Sequence, residues 1–197
     1  MLEKLNSLDT KVFLFLNGKH SAFFDPLMYW ASNKLFWFPF YALLIYLLIR
    51  WYKKRTALIL VCIAVLITLS DQLSSHLIKN LVKRLRPSHE PALAGLVHLS
   101  KAGHGGMYGF VSSHAANCFA LVVFLSLILD RRYRWIKYVL VFWAVLVSYS
   151  RIYVGVHYPG DVLCGALLGA GLGYILSLFY RKASAYFYGD AGVGPVA

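Results

Sequence analysis

Charge is scarce in this sequence, and acidic charge is the scarcest of all. Charged residues occupy 14% of the 197 positions, with eight Asp and Glu against 20 Lys and Arg. In soluble domains, about a quarter of the residues are charged. Because 59% of the chain is hydrophobic, a soluble fold of this length could not bury its apolar surface. The composition therefore excludes an ordinary soluble enzyme and indicates a membrane protein.

Neither the cysteines nor the basic charge points to a soluble function. Cys62, Cys118 and Cys164 lie inside apolar runs and show no metal-ligand spacing and no disulfide framework. The net charge of +12 is spread over short clusters between apolar runs. That pattern excludes a nucleic-acid surface and leaves an anionic membrane or an anionic substrate as the partner.

The apolar runs predict an all-α membrane protein with one domain over residues 1–188. Five runs suit membrane-spanning helices of the bundle at 35–182, namely 35–51, 56–84, 112–130, 135–150 and 161–180. The pattern of residues 1–33 predicts an N-terminal interfacial region that begins with an amphipathic helix. If this segment crosses the membrane, the bundle has six spans. Residues 189–197 are interpreted as a disordered tail. In the last run, Gly165, Gly169 and Gly173 fall four apart, which predicts close helix packing.

The first polar cluster follows the second run. Lys79 and Arg86 are seven positions apart, so a continuous helix would place them on one face, and Pro87 ends that helix. A lysine inside a spanning helix is costly unless it lines a cavity or binds an anion. Lys83 and Arg84 are interpreted as side chains that snorkel to the interface.

The second and third clusters lie at the starts or ends of later helices. Ser112 suits an N-cap, and the helix N-terminus beside it offers free N–H groups to an anion. His114, in the first turn, is placed to donate a proton to a leaving oxygen. Arg151 offers a planar donor fork for phosphate oxygens. Asp161, four residues after His157, can hold one imidazole nitrogen and leave the other free to attack.

At these residues the sequence resembles the type 2 phosphatidic acid phosphatase family. The family signature has Lys, six residues and Arg-Pro, then Pro-Ser-Gly-His, then Ser-Arg, five residues, His, three residues and Asp. The matching residues here are Lys79 with Arg86-Pro87, Ser112 with His114, and Ser150-Arg151 with His157 and Asp161. In the middle motif, Val111 and Ser113 stand where the family has Pro and Gly.

The resemblance implies a role for each matched residue and a reaction without a metal or other cofactor. His157 would be the nucleophile that forms a phosphohistidine, Asp161 would orient it, and His114 would protonate the leaving group and then activate water. The implied phosphate-binding residues are Lys79, Arg86, Arg151, Ser112 and Ser113. Phosphoryl transfer depends mainly on positioning and charge stabilisation, which agrees with this set.

The implied substrate is a phospholipid or polyprenyl phosphate, with undecaprenyl diphosphate preferred. Lipid A, phosphatidylglycerol phosphate and phosphatidic acid are the alternatives, and the sequence does not decide between a monophosphate and a diphosphate. Lys79, Arg86 and Arg151 are left out of the charge count because they are assigned to the site. Ten Lys and Arg residues then lie at the end opposite the polar clusters, and seven lie at the end that carries them. This difference favours an extracytoplasmic site in the plasma membrane, in line with the resemblance.

Two alternatives remain open at this level. A lipid-phosphate binding or transport protein would need the cations without the pair of His157 and Asp161. A metal-dependent hydrolase would use His89, His104, His114 and His157, but their spacing is irregular and carboxylates are few. The roles of His89, His104 and Asp71 are undecided, as is the oligomeric state.

Overall fold

The protein is a bundle of α-helices in the computed structural model, which describes residues 2–101 and 103–189. No strand occurs in these two ranges. Its helices are α1 (Leu2–Asn17), α2 (Phe24–Ser32), α3 (Phe38–Tyr52), α4 (Thr56–Asp71), α5 (Lys79–Val82), α6 (Ser113–Ile128), α7 (Arg134–Tyr153) and α8 (Pro159–Tyr188). The all-α prediction is confirmed, while the tail predicted at 189–197 lies almost wholly outside the described residues.

Apolar helices long enough to cross a membrane account for most of the bundle. Three helical stretches meet the length and hydropathy of a span, Lys34–Val82, Arg131–Tyr153 and Pro159–Tyr188, and Ser113–Ile128 is a shorter apolar helix. The first stretch is interrupted at Lys53, whose φ of 47° separates α3 from α4. The predicted multi-pass membrane bundle is therefore confirmed, with α3, α4, α6, α7 and α8 as its apolar helices.

The helix after α4 ends earlier than the sequence pattern predicts. A π-helical segment, Gln72–Ile78, joins α4 to α5, and Lys83 then adopts a left-handed conformation with φ 50°. Arg86 lies beyond this break in extended backbone, and its backbone N–H donates to the carbonyl of Met107 at 3.1 Å. The prediction that Lys79 and Arg86 share one helix face is thus wrong. The loop after α5 brings Arg86 to the site instead.

Small residues set the distance between α6 and α8 at the centre of the bundle. A Cβ added at Gly165, Gly169 or Gly173 would lie closer than 3.0 Å to backbone atoms of Ser112, Ala116 or Ala120. The close packing predicted from the glycine spacing is therefore confirmed. It fixes the start of α6 against the start of α8, where two of the three polar clusters lie.

The N-terminal helix α1 packs against the end of the bundle that carries the polar clusters. Phe13 is fully buried and contacts the ring of Tyr158 edge-on, with ring centroids 5.4 Å apart. The Asn17 side chain donates to the carbonyl of Tyr153 at 2.8 Å. These contacts join α1 to the helical core.

The opposite end of the bundle holds the compact basic clusters. Trp51 stacks on Tyr133 with a centroid distance of 3.8 Å, which brings the α3–α4 turn to the α6–α7 turn. Arg181 donates to the carbonyl of Leu127 at 2.7 Å, so the C-terminal part of α8 lies at this end too. The two groups of basic residues counted from the sequence therefore lie at opposite ends of the bundle.

Candidate active site

A buried histidine and a buried aspartate form the centre of the site. His157 lies in the short connection between α7 and α8, and its Nδ1 is 3.4 Å from Oδ2 of Asp161 in the first turn of α8. The His157 residue is 1% exposed and Asp161 is 0% exposed. Burial lowers the pKa of His157 well below its ordinary value, and positive charge on Arg151, Arg86 and Lys79 acts in the same direction. These effects favour the neutral form of the imidazole, which is the form that a histidine nucleophile requires.

Asp161 has more partners than His157 alone. Its Oδ2 accepts a hydrogen bond from the backbone N–H of Tyr158 at 3.0 Å, which caps the start of α8. Its Oδ1 accepts from Nη1 of Arg84 at 2.8 Å. With both carboxylate oxygens engaged, the acid has one defined orientation toward His157.

Arg84 joins this carboxylate to the N-terminal helix. Its Nη2 donates to Oδ2 of Asp9 in α1 at 2.8 Å, and Oδ1 of Asp9 accepts from the Gly160 N–H at 2.8 Å. The guanidinium lies 4.0 Å from the ring centroid of Tyr158. Burial lowers the pKa of Arg84, but the attraction of Asp161 and Asp9 outweighs it and raises the pKa. The interpretation of Arg84 as a snorkelling residue is wrong.

Gly109 allows the loop before α6 to approach the pair closely. A Cβ at this position would lie 3.0 Å from Oδ2 of Asp161 and 3.6 Å from Nδ1 of His157. Its backbone N–H donates to the carbonyl of Arg84 at 2.9 Å. The loop thus lies against the pair on the side of His157 Nδ1 and Asp161 Oδ2, and a side chain at Gly109 would displace the carboxylate.

The start of α6 supplies hydroxyl and backbone donors. Ser112 caps the helix by accepting from the Ala115 N–H at 3.5 Å, and its own N–H donates to the Asp161 carbonyl at 2.9 Å. The Ser113 hydroxyl accepts from Nζ of Lys79 at 2.9 Å and lies 2.7 Å from the Ser75 hydroxyl. The serine that stands in place of the family's glycine therefore holds the lysine predicted to bind phosphate.

Two arginines complete the positive surface. Arg86 is 8% exposed and its Nε donates to the Tyr108 carbonyl at 3.1 Å, which leaves its terminal nitrogens for another acceptor. Arg151 donates through Nη1 to the hydroxyl of Ser32. Its Nε is buried and has no hydrogen-bond partner among the described residues. A buried donor of this kind fits an anion such as a phosphate oxygen.

His114 stands where a polar cleft meets an apolar one. The polar cleft, about 520 Å³, is lined by residues that include His114, Arg151, Lys34 and Lys101. The apolar cleft, about 370 Å³, also includes His114 and Lys34 and continues between α3, α4, α6 and α7 as far as Leu48. One imidazole therefore borders both a charged chamber and a hydrocarbon-lined groove.

The other polar residues singled out in the sequence lie outside this centre. His89 and His104 contact each other in the loop between α5 and α6, with ring centroids 5.8 Å apart. Asp71 accepts a hydrogen bond from the Ser75 hydroxyl at 3.3 Å, so it connects to the Ser113 hydroxyl through one side chain. All eight residues predicted to form the site lie at one end of the bundle, and they come from α5, α6, α7, α8 and two loops.

Comparisons with known proteins agree with this arrangement. The PAP2 superfamily model matches residues 60–185. The chain is 40% identical over 195 residues to the lipid A 4'-phosphatase of Bacteroides thetaiotaomicron, covering 98% of this chain and 86% of that one. It is 34% identical over 193 residues to the lipid A 4'-phosphatase of Porphyromonas gingivalis, with 95% and 79% covered. An undecaprenyl-diphosphatase of Sulfolobus acidocaldarius is 43% identical, but over 68 residues, which is 34% of this chain and 32% of that one.

A solved structure shares the fold. The crystal structure of Aquifex aeolicus LpxE superposes with a TM-score of 0.64 at 28% identity, and the match covers 88% of this chain and 96% of that one. The helical bundle, the spacing of the three clusters and these matches lead to one assignment. The chain belongs to the PAP2 superfamily and is a membrane phosphatase.

Proposed function

We propose that the protein removes phosphate from a membrane lipid through a phosphohistidine on His157, without a metal ion. The observation that carries this proposal is the place of the buried His157–Asp161 pair. The pair lies within electrostatic range of three cations and of His114, and His114 borders both a charged chamber and an apolar groove. A phosphorylated head fits the first volume and a hydrocarbon chain fits the second.

The reaction follows from the roles that the geometry allows. Nε2 of neutral His157 attacks phosphorus, the bond between phosphorus and the lipid oxygen breaks, and protonated His114 gives its proton to that oxygen. Neutral His114 then takes a proton from water as the water oxygen attacks phosphorus. The P–N bond breaks, and inorganic phosphate and His157 are released. Lys79, Arg86 and Arg151 stabilise the charge on the phosphoryl oxygens throughout.

In this scheme, Asp9 and Arg84 position the aspartate and do not contact the substrate. We expect Arg84→Gln to lower kcat by about 100-fold with little change in KM, because a small displacement of a reacting group costs that much. Arg84→Lys should recover part of the loss, since a lysine can still neutralise Asp161. Steady-state kinetics on the purified variants measure both constants.

Lys83→Gln is the matched control for this prediction. Lys83 is exposed and lies next to Arg84, so its substitution removes the same charge from the same loop. Equal losses of kcat in the Lys83 and Arg84 variants would mean that the positive charge of the loop determines the rate. The hydrogen bonds from Arg84 to Asp161 would then have no specific role. The single domain predicted for residues 1–188 is part of the proposal, because α1 supplies Asp9.

Among lipid phosphates, we propose the 4'-phosphate of lipid A as the substrate. Two relatives that bear this name match nearly the whole chain, whereas the undecaprenyl-diphosphatase matches a third of it. Undecaprenyl diphosphate, preferred from the sequence, is therefore the second candidate. The site is proposed to face the extracytoplasmic side of the inner membrane, because the more compact basic clusters lie at the other end of the bundle.

A panel of substrates tests the proposal directly. Purified protein in detergent is given lipid A, undecaprenyl diphosphate, phosphatidylglycerol phosphate, phosphatidic acid and glucosamine 4-phosphate, each with EDTA. We expect phosphate release from lipid A at a kcat/KM at least about 100-fold above that of glucosamine 4-phosphate, because the lipid chains add binding in the apolar groove. The 1-phosphate of lipid A should remain, as mass spectrometry of the product shows.

Each other outcome has a defined meaning. Faster phosphate release from undecaprenyl diphosphate than from lipid A would mean that undecaprenyl diphosphate is the substrate. The proposed phosphohistidine mechanism would be unaffected. A large loss of rate with EDTA, at a temperature at which the protein stays folded, would contradict the metal-independent mechanism. Tight binding of every lipid without phosphate release would favour the lipid-binding alternative.

A further inference from the structure

A second cluster of metal-ligating side chains lies outside the proposed catalytic site. His20 belongs to the turn between α1 and α2, Asp25 to the first turn of α2, and His98 to the loop between α5 and α6. One ligand atom from each lies within 4.8 Å of the other two. Within residues 2–101 and 103–189, this is the one group of three such side chains close enough to share an ion. None of these residues contributes to the phosphatase reaction proposed above.

We propose that His20, Asp25 and His98 bind one Zn²⁺ ion that fastens the turn between α1 and α2 to the loop before α6. Two histidines and one carboxylate are a donor set that zinc favours, with water as the fourth ligand. Nε2 of His98 and Oδ1 of Asp25 are 3.1 Å apart. Two ligands of a tetrahedral zinc ion are separated by about 3.3 Å, so these two atoms already have the required spacing.

Buried side chains hold two of the three ligands in place. The hydroxyl of Tyr153, which is 2% exposed, donates to Oδ1 of Asp25 at 2.8 Å. Asn17, which is 1% exposed, accepts from the His98 N–H at 2.8 Å and donates to the His98 carbonyl at 3.0 Å. Outer contacts of this kind orient metal ligands and raise the affinity of a site.

The third ligand, His20, has an exposed ring that must turn to bind the ion. The rings of His20 and His98 are stacked, with centroids 3.8 Å apart and planes 5° apart. An ion shared by both must lie in the plane of each ring, so the His20 ring has to turn. His20 is exposed, and a cleft of about 590 Å³ beside Asp25 and His98 gives the ion a path.

The site has a direct connection to the catalytic end of the bundle. Tyr153 lies two residues after Arg151 in α7, and its hydroxyl also accepts from the Ser21 N–H at 2.9 Å. Lys101 follows His98 by three positions and lines both the cleft beside the zinc site and the polar cleft beside Arg151. The ion therefore stabilises the wall of the polar cleft without contacting the substrate.

Titration of the metal-stripped full-length protein in detergent with zinc chloride tests the proposal. We expect one ion per chain by calorimetry and a rise in Tm of about 5–10 °C at a 100-fold excess over the Kd. Cobalt(II) should give the visible absorption of a four-coordinate site. Magnesium should give neither the Tm shift nor the heat, because it prefers oxygen ligands.

His20→Ala is the decisive variant, since the exposed His20 ring is not needed for folding. We expect it to weaken zinc binding at least 100-fold while Tm without metal stays unchanged. The control is the double variant His89→Ala/His104→Ala, which removes a close histidine pair outside both sites, and it should bind zinc as the unmodified protein does. Unchanged binding in His20→Ala, loss of binding in the control, or no binding by the unmodified protein would each overturn the proposal.

Discussion

Replacing His157 by glutamine is expected to abolish phosphate release, with kcat lowered by at least about 10⁴-fold. Glutamine keeps a polar amide of similar reach, so the buried carboxylate of Asp161 retains a partner. It has no nitrogen able to attack phosphorus. The loss should therefore appear in kcat, while the lipid still binds to Lys79, Arg86 and Arg151.

Three measurements separate this effect from misfolding. The melting temperature of the His157 variant should stay within a few degrees of that of the unmodified protein, and lipid binding should persist. With radioactive lipid phosphate and an alkaline quench, which preserves phosphohistidine, the unmodified protein should retain label and the variant none. His89→Gln, a histidine variant in the loop away from the pair, should keep both label and turnover.

Turnover by the His157 variant within tenfold of the unmodified rate would remove His157 as the nucleophile. Label retained by that variant would point to another nucleophile, and His114 would be the next residue to replace. Either result would leave the family assignment intact, because that assignment rests on the whole-chain matches and the fold.

The sequence predicted the bundle and its family well because both depend on local patterns. Long apolar runs predict membrane-spanning helices. The spacing of the glycines at 165, 169 and 173 predicts a close helix contact without information from other segments. The three motifs keep fixed spacings, so their residues could be named before any geometry was known. Membership of the family is confirmed, whereas the catalytic roles of the matched residues stay predictions.

What the sequence did not show depends on contacts between distant segments. Asp9 falls in the segment predicted as an amphipathic helix, and the sequence favours Arg84 as a cation that snorkels to the interface. Only the fold brings them together at 2.8 Å beside Asp161. The signal that the sequence does carry is that Asp9 is one of eight acidic residues in a basic chain.

The helix boundary after α5 shows a second limit. Periodicity placed Lys79 and Arg86 on one face, because a continuous helix was the simplest connection to Pro87. The structure instead has a π-helical segment before α5 and a left-handed residue at Lys83. After this break, Leu85 and Arg86 pair with the backbone of Tyr108 and Met107, and a contact between segments so far apart has no signal in the local sequence.

Gly169→Ala is expected to destabilise the protein and lower its activity, whereas Gly171→Ala is expected to do neither. A methyl group at 169 would collide with the Ala116 carbonyl of α6, while at 171 it would meet nothing within 4 Å. Overpacking of a tight interface costs about 1–3 kcal/mol. Replacing glycine by alanine stabilises a helix by about 1 kcal/mol at either position. The difference in unfolding free energy between the two variants therefore isolates the packing cost.

The effect on activity follows from what α6 carries. If α6 moves away from α8, Ser112 and His114 move with it, while His157 and Asp161 stay with α8. We therefore expect Gly169→Ala to lower both Tm and kcat, and Gly171→Ala to keep kcat and raise Tm slightly. Thermal unfolding in detergent and phosphate release, measured on the two variants side by side, check this. Equal melting temperatures would mean that the α6–α8 contact adapts freely and does not set the geometry of the site.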